Sequence, residues 1–450
     1  MGLRLHNTLT GKVEPFEPLK PSEVSLYLCG ITVYDDCHVG HARGAVVFDA
    51  FRRFLESRKL RVTHIRNITD VDDKIIDRAR KEDASSGDLN ARTKRVAEKY
   101  TGRFQADFKK LGLLPPTQEP KATEFIPQMI ALIGDLIKRE MAYETADGVY
   151  FSVRKLSEYG RLSHQKPDQM LENHRAETGD GKKDSLDFAL WKKAKPDEPQ
   201  WPSPWGAGRP GWHIECTTMS TRLLGDQFDI HGGGQDLVFP HHENELAQAL
   251  GAKKPFARTW MHNGLLTING QKMSKSLGNF VTLEEVLSKY PADVVRLFFL
   301  SVHYHSPVDF TWERMEEAKH SYGRLTAFLA HAESKPAATA APDLSGPEKD
   351  FYEALEDNFN TPRALACLHD LTRHPSPKEA AGLLRALAKT LGFFQADAGV
   401  DDAIQQLVDQ RDQVRAKKDF AASDRIRKEL NDLGYLVEDT AGKTVVRKKI

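Results

Sequence analysis

VSLYLCGITVYDDCHVGHARGAVVFDAFRRFLESRKLRVTHIRNI, residues 24–68, is the stretch that decides the fold. Val24–Cys29 is a short apolar run of the kind that fills a strand buried on both faces. After a loop through Asp36, Val47, Phe51, Phe54 and Leu55 recur at i, i+4, i+7 and i+8, the stripe of an amphipathic helix. Arg61–Ile68 alternates as a strand does, and helical spacing resumes over Asp72–Arg80. Strand, helix, strand is a βαβ unit, which predicts a parallel sheet with its site at the strand C-terminal ends.

Outward from this unit, residues 114–210 break the rhythm with helical pieces such as Ile126–Arg139 and a Pro/Trp-rich stretch ending Trp201-Pro202-Ser203-Pro204-Trp205. They read as an insertion. Sheet-like sequence returns at Gln227–Ile230 and Thr259–His262, and Leu265–Lys272 reads as a hairpin turning at Asn269-Gly270. From Leu283 the pattern is almost all helical, with a basic helix expected around Gln413–Leu430 and strand-like pieces at the end. There is no internal repeat. The expected class is α/β: a Rossmann-type parallel-sheet domain with an insertion, then a helical bundle and a small C-terminal module. The boundaries are 1–113 and 211–265 for the two halves of the sheet domain, 114–210 for the insertion and 266–333 for the following loop and helices. A low-complexity linker occupies 334–347, the bundle 348–400 and the terminal module 401–450.

Bulk properties narrow the class. The 450 residues exceed one small core, and 28% charged with 40% hydrophobic content is that of a globular chain. No apolar run approaches a membrane span and the N-terminus has no apolar signal core, so a cytoplasmic protein is expected. Lys+Arg and Asp+Glu are both 64, which excludes a histone-like binder but not a local basic surface. The four cysteines, Cys29, Cys37, Cys216 and Cys367, are too few for a disulfide framework; buried, catalytic or metal-bound thiols are expected instead.

Two short motifs carry phosphate chemistry. His38-Val39-Gly40-His41 lies between the first strand and the first helix, where backbone N–H groups and the helix dipole favour an anion. Two imidazoles there can hydrogen-bond phosphate oxygens, and Gly40 lets a nucleotide approach closely. Lys272-Met273-Ser274-Lys275-Ser276 follows the hairpin, so two cations could neutralise charge developing on a pyrophosphate leaving group. Alone, the first reads as polar caps and the second as a solvated basic loop. Their order, one after the first strand and the other after the last, sets those readings aside.

A donor set for a metal is also present. His241 and Glu245, four apart, project from one helical face, Cys216 offers a thiolate, and Cys29 ends the first strand. Sulfur, nitrogen and oxygen donors in this mixture suit zinc. Cys37, His242 and Glu243 are chemically able to substitute, and buried thiols are commonly inert core residues. Trp212, Thr69, His231 and Asp236 stand beside these segments, and each could equally be a structural turn residue.

HVGH resembles the first, and KMSKS matches the second, signature of class I aminoacyl-tRNA synthetases. CGxTxYDxCHxGHAR around Cys29, GWHIEC and FPHHENE closely resemble the cysteinyl-tRNA synthetase family over almost the whole chain. The resemblance implies that ATP and L-cysteine react to cysteinyl-adenylate and pyrophosphate, and that tRNA(Cys) is then charged on its terminal ribose. It implies His38, His41, Lys272 and Lys275 as catalytic groups, with Gly40, Ser274 and Asp236 also at ATP, which brings Mg2+. It assigns one zinc ion to Cys29, Cys216, His241 and Glu245, leaves Cys37 unligated, and places cysteine against Trp212, Thr69 and His231. Zinc would bind a thiolate strongly and a serine hydroxyl weakly, so no proofreading domain is needed. The resemblance also implies a monomer and a helical anticodon-binding domain. Arg425, Arg427 and Asp439 are candidates for anticodon contact, although a solvated helix is the better reading of that stretch alone. Many relatives carry a Trp where this chain has Val445-Val446. Two alternatives remain: a ligase joining cysteine to an amino sugar in the mycothiol pathway, and a non-catalytic zinc-containing RNA-binding protein.

Overall fold

A computed structural model describes residues 2–82, 87–168, 170, 181–274, 277–338, 342–395, 402–440 and 443–448. An N-terminal hairpin, β1 (Arg4–Asn7) and β2 (Lys12–Pro15), precedes the central strand β3 (Glu23–Thr32). Then follow α1 (Val39–Ser57), β4 (Arg61–Thr69), α2 (Asp73–Lys81) and α3 (Leu89–Lys110). The insertion contributes α4 (Ile126–Lys138), β5 (Ala142–Glu144), β6 (Gly148–Phe151), β7 (Phe188–Lys193) and β8 (Gly208–Pro210). The chain returns through α5 (Trp212–Leu224), β9 (Gln227–Gly234), α6 (Glu243–Gly251) and β10 (Phe256–Asn263). Strands β3, β4, β9 and β10 form one parallel sheet in the order β10-β9-β3-β4. Val24, Leu26, Tyr27 and Leu28 of β3 are all buried, as a strand between two others and under helices on both faces requires.

The ladder between β3 and β4 slips between Leu28 and Ile31. Gly30 sits in that bulge because a Cβ there would run into the Asn67 carbonyl. Its N–H is taken by Asn67 Oδ1 at 2.8 Å. The bulge is what turns Cys29 out of the regular pleat.

The helical piece read at Ile126–Arg139 is α4, but the insertion also holds a sheet that its sequence did not announce. Its four strands form an antiparallel sheet, β5-β6-β7-β8, whose short segments of three to six residues carry too little alternation to register alone. Its described residues pack into a shared core: Met129, Phe151 and Trp191 belong to one hydrophobic cluster with Cys216, Leu246 and Trp260.

The hairpin is found where expected, with β11 (Leu266–Ile268) and β12 (Gln271–Lys272) antiparallel around Asn269-Gly270, both at positive φ. After α7 (Leu283–Lys289) and α8 (Ala292–Leu300), β13 (Val308–Phe310) adds to β11 in parallel. Helices α9 (Trp312–Glu333), α10 (Ser345–Glu356), α11 (Thr361–Leu371) and α12 (Pro377–Thr390) complete the bundle, and Phe351 and Leu368 share a core cluster with Phe51 of α1. The single basic helix expected at Gln413–Leu430 is two helices, α13 (Asp402–Ala416) and α14 (Phe420–Asp432). Lys418 breaks the run at positive φ, and Asp419 caps α14 by accepting the Ala422 N–H. Strands β14 (Tyr435–Thr440) and β15 (Lys443–Lys448) close a hairpin with a small cluster of its own, including Ile404, Leu430 and Val446.

Candidate active site and metal centre

Four elements converge beneath the end of β3. Cys29 comes from the bulge, Cys216 from α5, His241 from the wide turn before α6 and Glu245 from the first turn of α6. Their donor atoms all lie within 4.8 Å of one another. Glu245 Oε1 is 3.0 Å from His241 Nε2 and 3.4 Å from Cys29 Sγ. His231 and His242 form a second set with the same Cys29 and Glu245, their Nε2 atoms 3.4 and 3.2 Å from Cys29 Sγ.

The other two substitutes do not join either set. Glu243 accepts the backbone N–H groups of Gly160 and Ser163 at 2.9 and 2.7 Å. Cys37 lies in the other core cluster, where burial pushes its thiol up to about 12.

The cluster lacks a positive charge of its own. Burial pushes the Cys29 and Cys216 thiols and the Glu245 carboxyl up, and pulls His231, His241 and His242 down. All six therefore favour their neutral forms, and Glu245 Oε2 accepts no hydrogen bond among the described residues. A divalent cation would restore the thiolates and use that oxygen, so these donors fit zinc. Outer contacts also orient the rings. His213 Nδ1 lies 2.9 Å from His241 Nδ1, which leaves Nε2 of His241 facing the cluster. His242 Nδ1 is 2.8 Å from His262 Nε2, and His262 Nδ1 is 2.7 Å from Thr8 Oγ1. Sequence reading missed this chain; His213 was visible in GWHIEC, but Thr8 and His262 carry no local signal.

Trp212, 37% exposed, stacks on His241 with centroids 4.0 Å apart and roofs the cluster. Thr69 is buried and donates to Glu215 Oε2 at 2.9 Å while accepting from Asn67 Nδ2 at 3.3 Å. Asn67 and Glu215 are thus further residues that spacing did not reveal. Asp236 lies in the turn after β9 and lines a cleft of about 500 Å³ with Thr8, His164, His262 and His305.

At the start of α1, His38 is the N-cap. Its Nδ1 accepts from the N–H groups of Gly40 and His41 at 3.1 and 3.4 Å, and the His38 N–H donates to His41 Nδ1 at 3.3 Å. The rings stack 3.6 Å apart. Each Nδ1 serves as an acceptor, which in a neutral imidazole places the ring proton on Nε2. The capping role and the phosphate role are therefore compatible.

Lys272 is exposed at the end of β12, and Ser274 follows, its N–H bound to Asn279 Oδ1 at 2.8 Å. Lys275 lies outside the described residues. The far end of this segment is joined to the start of α1: the Val39 N–H donates to Val281 O at 3.1 Å and the Leu283 N–H to Cys37 O at 2.8 Å. Phe280 packs edge-on against His38 at 5.4 Å. The two phosphate motifs are neighbours.

In the terminal module, Arg425 and Arg427 are exposed on α14. Asp439 is held by Arg411 at 2.6 Å and by Arg415, and the Arg411 hydrogen bond holds its carboxyl below the usual range. Its carboxylate is engaged within the module.

Comparison with known proteins is consistent across the chain's length. A family profile described as tRNA synthetases class I (C) catalytic domain matches residues 15–320. Profiles for a DALR domain and for the cysteinyl-tRNA ligase anticodon binding domain match residues 350–374 and 397–447. A cysteine–tRNA ligase of Persephonella marina is 45% identical, with 100% of both chains covered. One from Alkalilimnicola ehrlichii is 46% identical, over 99% of this chain and 100% of that protein. The methionyl-tRNA synthetase of Mycobacterium tuberculosis, solved with methionyl-adenylate, superposes with a TM-score of 0.58 at 14% identity over 82% of this chain and 89% of that one, a likeness of fold. No helix among the described residues is long and apolar enough to cross a membrane.

Proposed function

Because this chain belongs to the cysteine–tRNA ligase family of class I synthetases, we infer that it activates cysteine with ATP and transfers it to tRNA(Cys). It is a ligase. Neither alternative is favoured: the relatives that match from end to end are cysteine–tRNA ligases, and the anticodon-binding profile covers the terminal module.

The observation that carries the reading is a buried four-donor cluster that takes Cys29 from a strand of the parallel sheet, with the segments of the two candidate phosphate motifs bonded to each other at the start of the helix that follows that strand. Cys29, Cys216, His241 and Glu245 would hold zinc. Bound there, zinc would bind a thiolate and lower its pKa, which a serine hydroxyl does not reproduce. The Nε2 atoms of His231 and His242 lie beside Cys29 Sγ at 3.4 and 3.2 Å, and Trp212 walls the pocket over His241. Thr69, fixed by Glu215 and Asn67, presents a buried hydroxyl at the end of β4 toward the aminoacyl group.

The cysteine carboxylate attacks the α-phosphate of Mg2+-bound ATP, and pyrophosphate leaves. His38 and His41 would donate from Nε2 to phosphate oxygens, while Lys272 and Lys275 stabilise the charge on the departing group. Gly40 leaves room for the nucleotide, Ser274 and Asp236 would contact it, and no side chain serves as nucleophile. Positioning and charge stabilisation therefore supply the rate. Arg425 and Arg427 are proposed to meet the anticodon stem, with Asp439 holding the module's hairpin through Arg411.

Cysteine-dependent ATP–pyrophosphate exchange, with serine as competitor and bound zinc quantified, tests activation. Exchange with cysteine alone, and charging of tRNA(Cys) on its addition, is the expected outcome. Absence of exchange in folded, zinc-loaded protein would overturn the reading.

A further inference from the structure

Arg43, in the second turn of α1, is 1% exposed, and no carboxylate pairs with it among the described residues. Its guanidinium spends its fork on backbone carbonyls. Nη1 donates to Gly264 O and Leu265 O at 2.8 and 2.6 Å, and Nη2 to Tyr304 O at 3.3 Å and to Ser306 O. A buried cation without an anion is costly, and burial pulls this guanidinium down to about 10. Such a group is a poor device for stability alone. What it grips is specific.

Gly264–Leu265 leads into β11, and Tyr304–Ser306 leads into β13. These strands pair in parallel, and β12, ending in Lys272, hangs on β11. Arg43 therefore holds the root of the small sheet whose tip carries the leaving-group lysine. The approach is close: a Cβ on Gly264 would crowd the carbonyls of Ser306 and His305. At the other end of the same segment, Val281 and Leu283 are bonded to Val39 and Cys37 beside the first motif. The segment from Gly264 to Leu283 is thus tied at both ends to one helix, and that helix begins with the phosphate-facing histidines.

The geometry points to Arg43 as the positioning residue that sets the register between the His38–His41 turn and the Lys272 hairpin, and hence the rate of adenylate formation, without touching substrate. This rests on the ligase reading. Lysine keeps the charge but not the planar fork, so it cannot hold the four carbonyls together.

A double-mutant cycle in cysteine-dependent ATP–pyrophosphate exchange tests it, using Arg43→Lys, Lys272→Ala and the pair, with zinc content and thermal midpoint measured on each. Arg43→Lys is expected to lower kcat about tenfold with zinc content and the KM for cysteine unchanged. In the Lys272→Ala background the same change is expected to cost less than about twofold, because groups acting as one unit are non-additive. Gly264→Ala, which disturbs the root from the other side, is expected to show the same pattern and serves if Arg43→Lys does not fold. A full tenfold loss in both backgrounds, or a loss shared with the KM for cysteine, would overturn the role. Wild-type protein without exchange would instead sink the ligase reading itself.

Discussion

The donor cluster under β3 and the hairpin that carries Lys272 lie at opposite extremes of burial. Cys216, His231, His241, His242 and Glu245 are almost wholly excluded from solvent, whereas Gln271 and Lys272 are exposed. In the first region the rings are oriented down to the His213, His262 and Thr8 contacts two groups away, and Glu245 Oε2 is left without a hydrogen bond among the described residues. In the second, order is supplied at the root and at the far end, by Arg43 and by the Val39–Val281 contact. Selecting a thiol needs a fixed, dry cavity. Stabilising a leaving group needs cations that can reach and then release it.

That contrast can be broken at its strongest point by Cys216→Ser. We expect it to lose bound zinc and to reduce exchange by more than about 1,000-fold, because it removes a whole set of substrate interactions rather than the single donor that costs about 100–1,000-fold. Metal analysis alongside exchange kinetics checks this; retention of one zinc with cysteine selectivity intact would contradict it. Lys272→Ala should behave in the opposite sense. Exchange falls about 100-fold, yet zinc content is unchanged and stability moves by no more than about 0.5 kcal/mol, as for an exposed side chain. A large fall in the thermal midpoint would show that the hairpin is part of the packed structure after all.

Asn67→Ala tests how far the rigid region extends. Asn67 is 1% exposed, and it satisfies the Gly30 N–H and donates to Thr69. Leaving that N–H unpaired should cost about 1–3 kcal/mol in chemical denaturation and raise the KM for cysteine, with kcat less affected. His64→Leu gives the smallest effect. Burial pulls buried His64 from 6.5 down to about 3, with Arg66 and Arg52 adding to the shift, and neither ring nitrogen has a hydrogen-bond partner among the described residues. The unfolded chain binds the proton more readily, so this residue's contribution is complete above about pH 6.5 and is lost as pH falls toward 3. Between pH 7.5 and 5.5 the variant should lose about 1 kcal/mol less stability than wild type, read from urea midpoints.

How far the molecule can be read from its chain differs between the same two regions. The βαβ unit was legible because Val47, Phe51, Phe54 and Leu55 share one helical face whatever surrounds them, and α1 indeed spans Val39–Ser57. The Asn269-Gly270 turn was legible for a similar reason, since positive φ is a local demand. The antiparallel sheet of the insertion was not. Gly148, Trp191 and Pro210 come together only through pairing between strands distant in the chain. The division of the terminal basic stretch was hidden too, because Lys418 gives no local sign that it adopts positive φ.

By itself the sequence determined the chemistry on offer: thiol, imidazole and carboxylate donors, two motifs proposed to meet phosphate, and a βαβ unit that calls for a parallel sheet. Only the tertiary structure decided which atoms meet. Among His241, His242 and Glu243, neighbours in the chain, one turns Nε2 to Glu245, one faces both Cys29 and His262, and one faces Gly160 in the insertion. Cys29 reaches Glu245 across 216 positions, and Arg43 reaches Gly264 across 221. Side-chain type and spacing are properties of a segment, whereas direction across such separations is set by how strands and helices pack, so the first could be read directly and the second had to be seen.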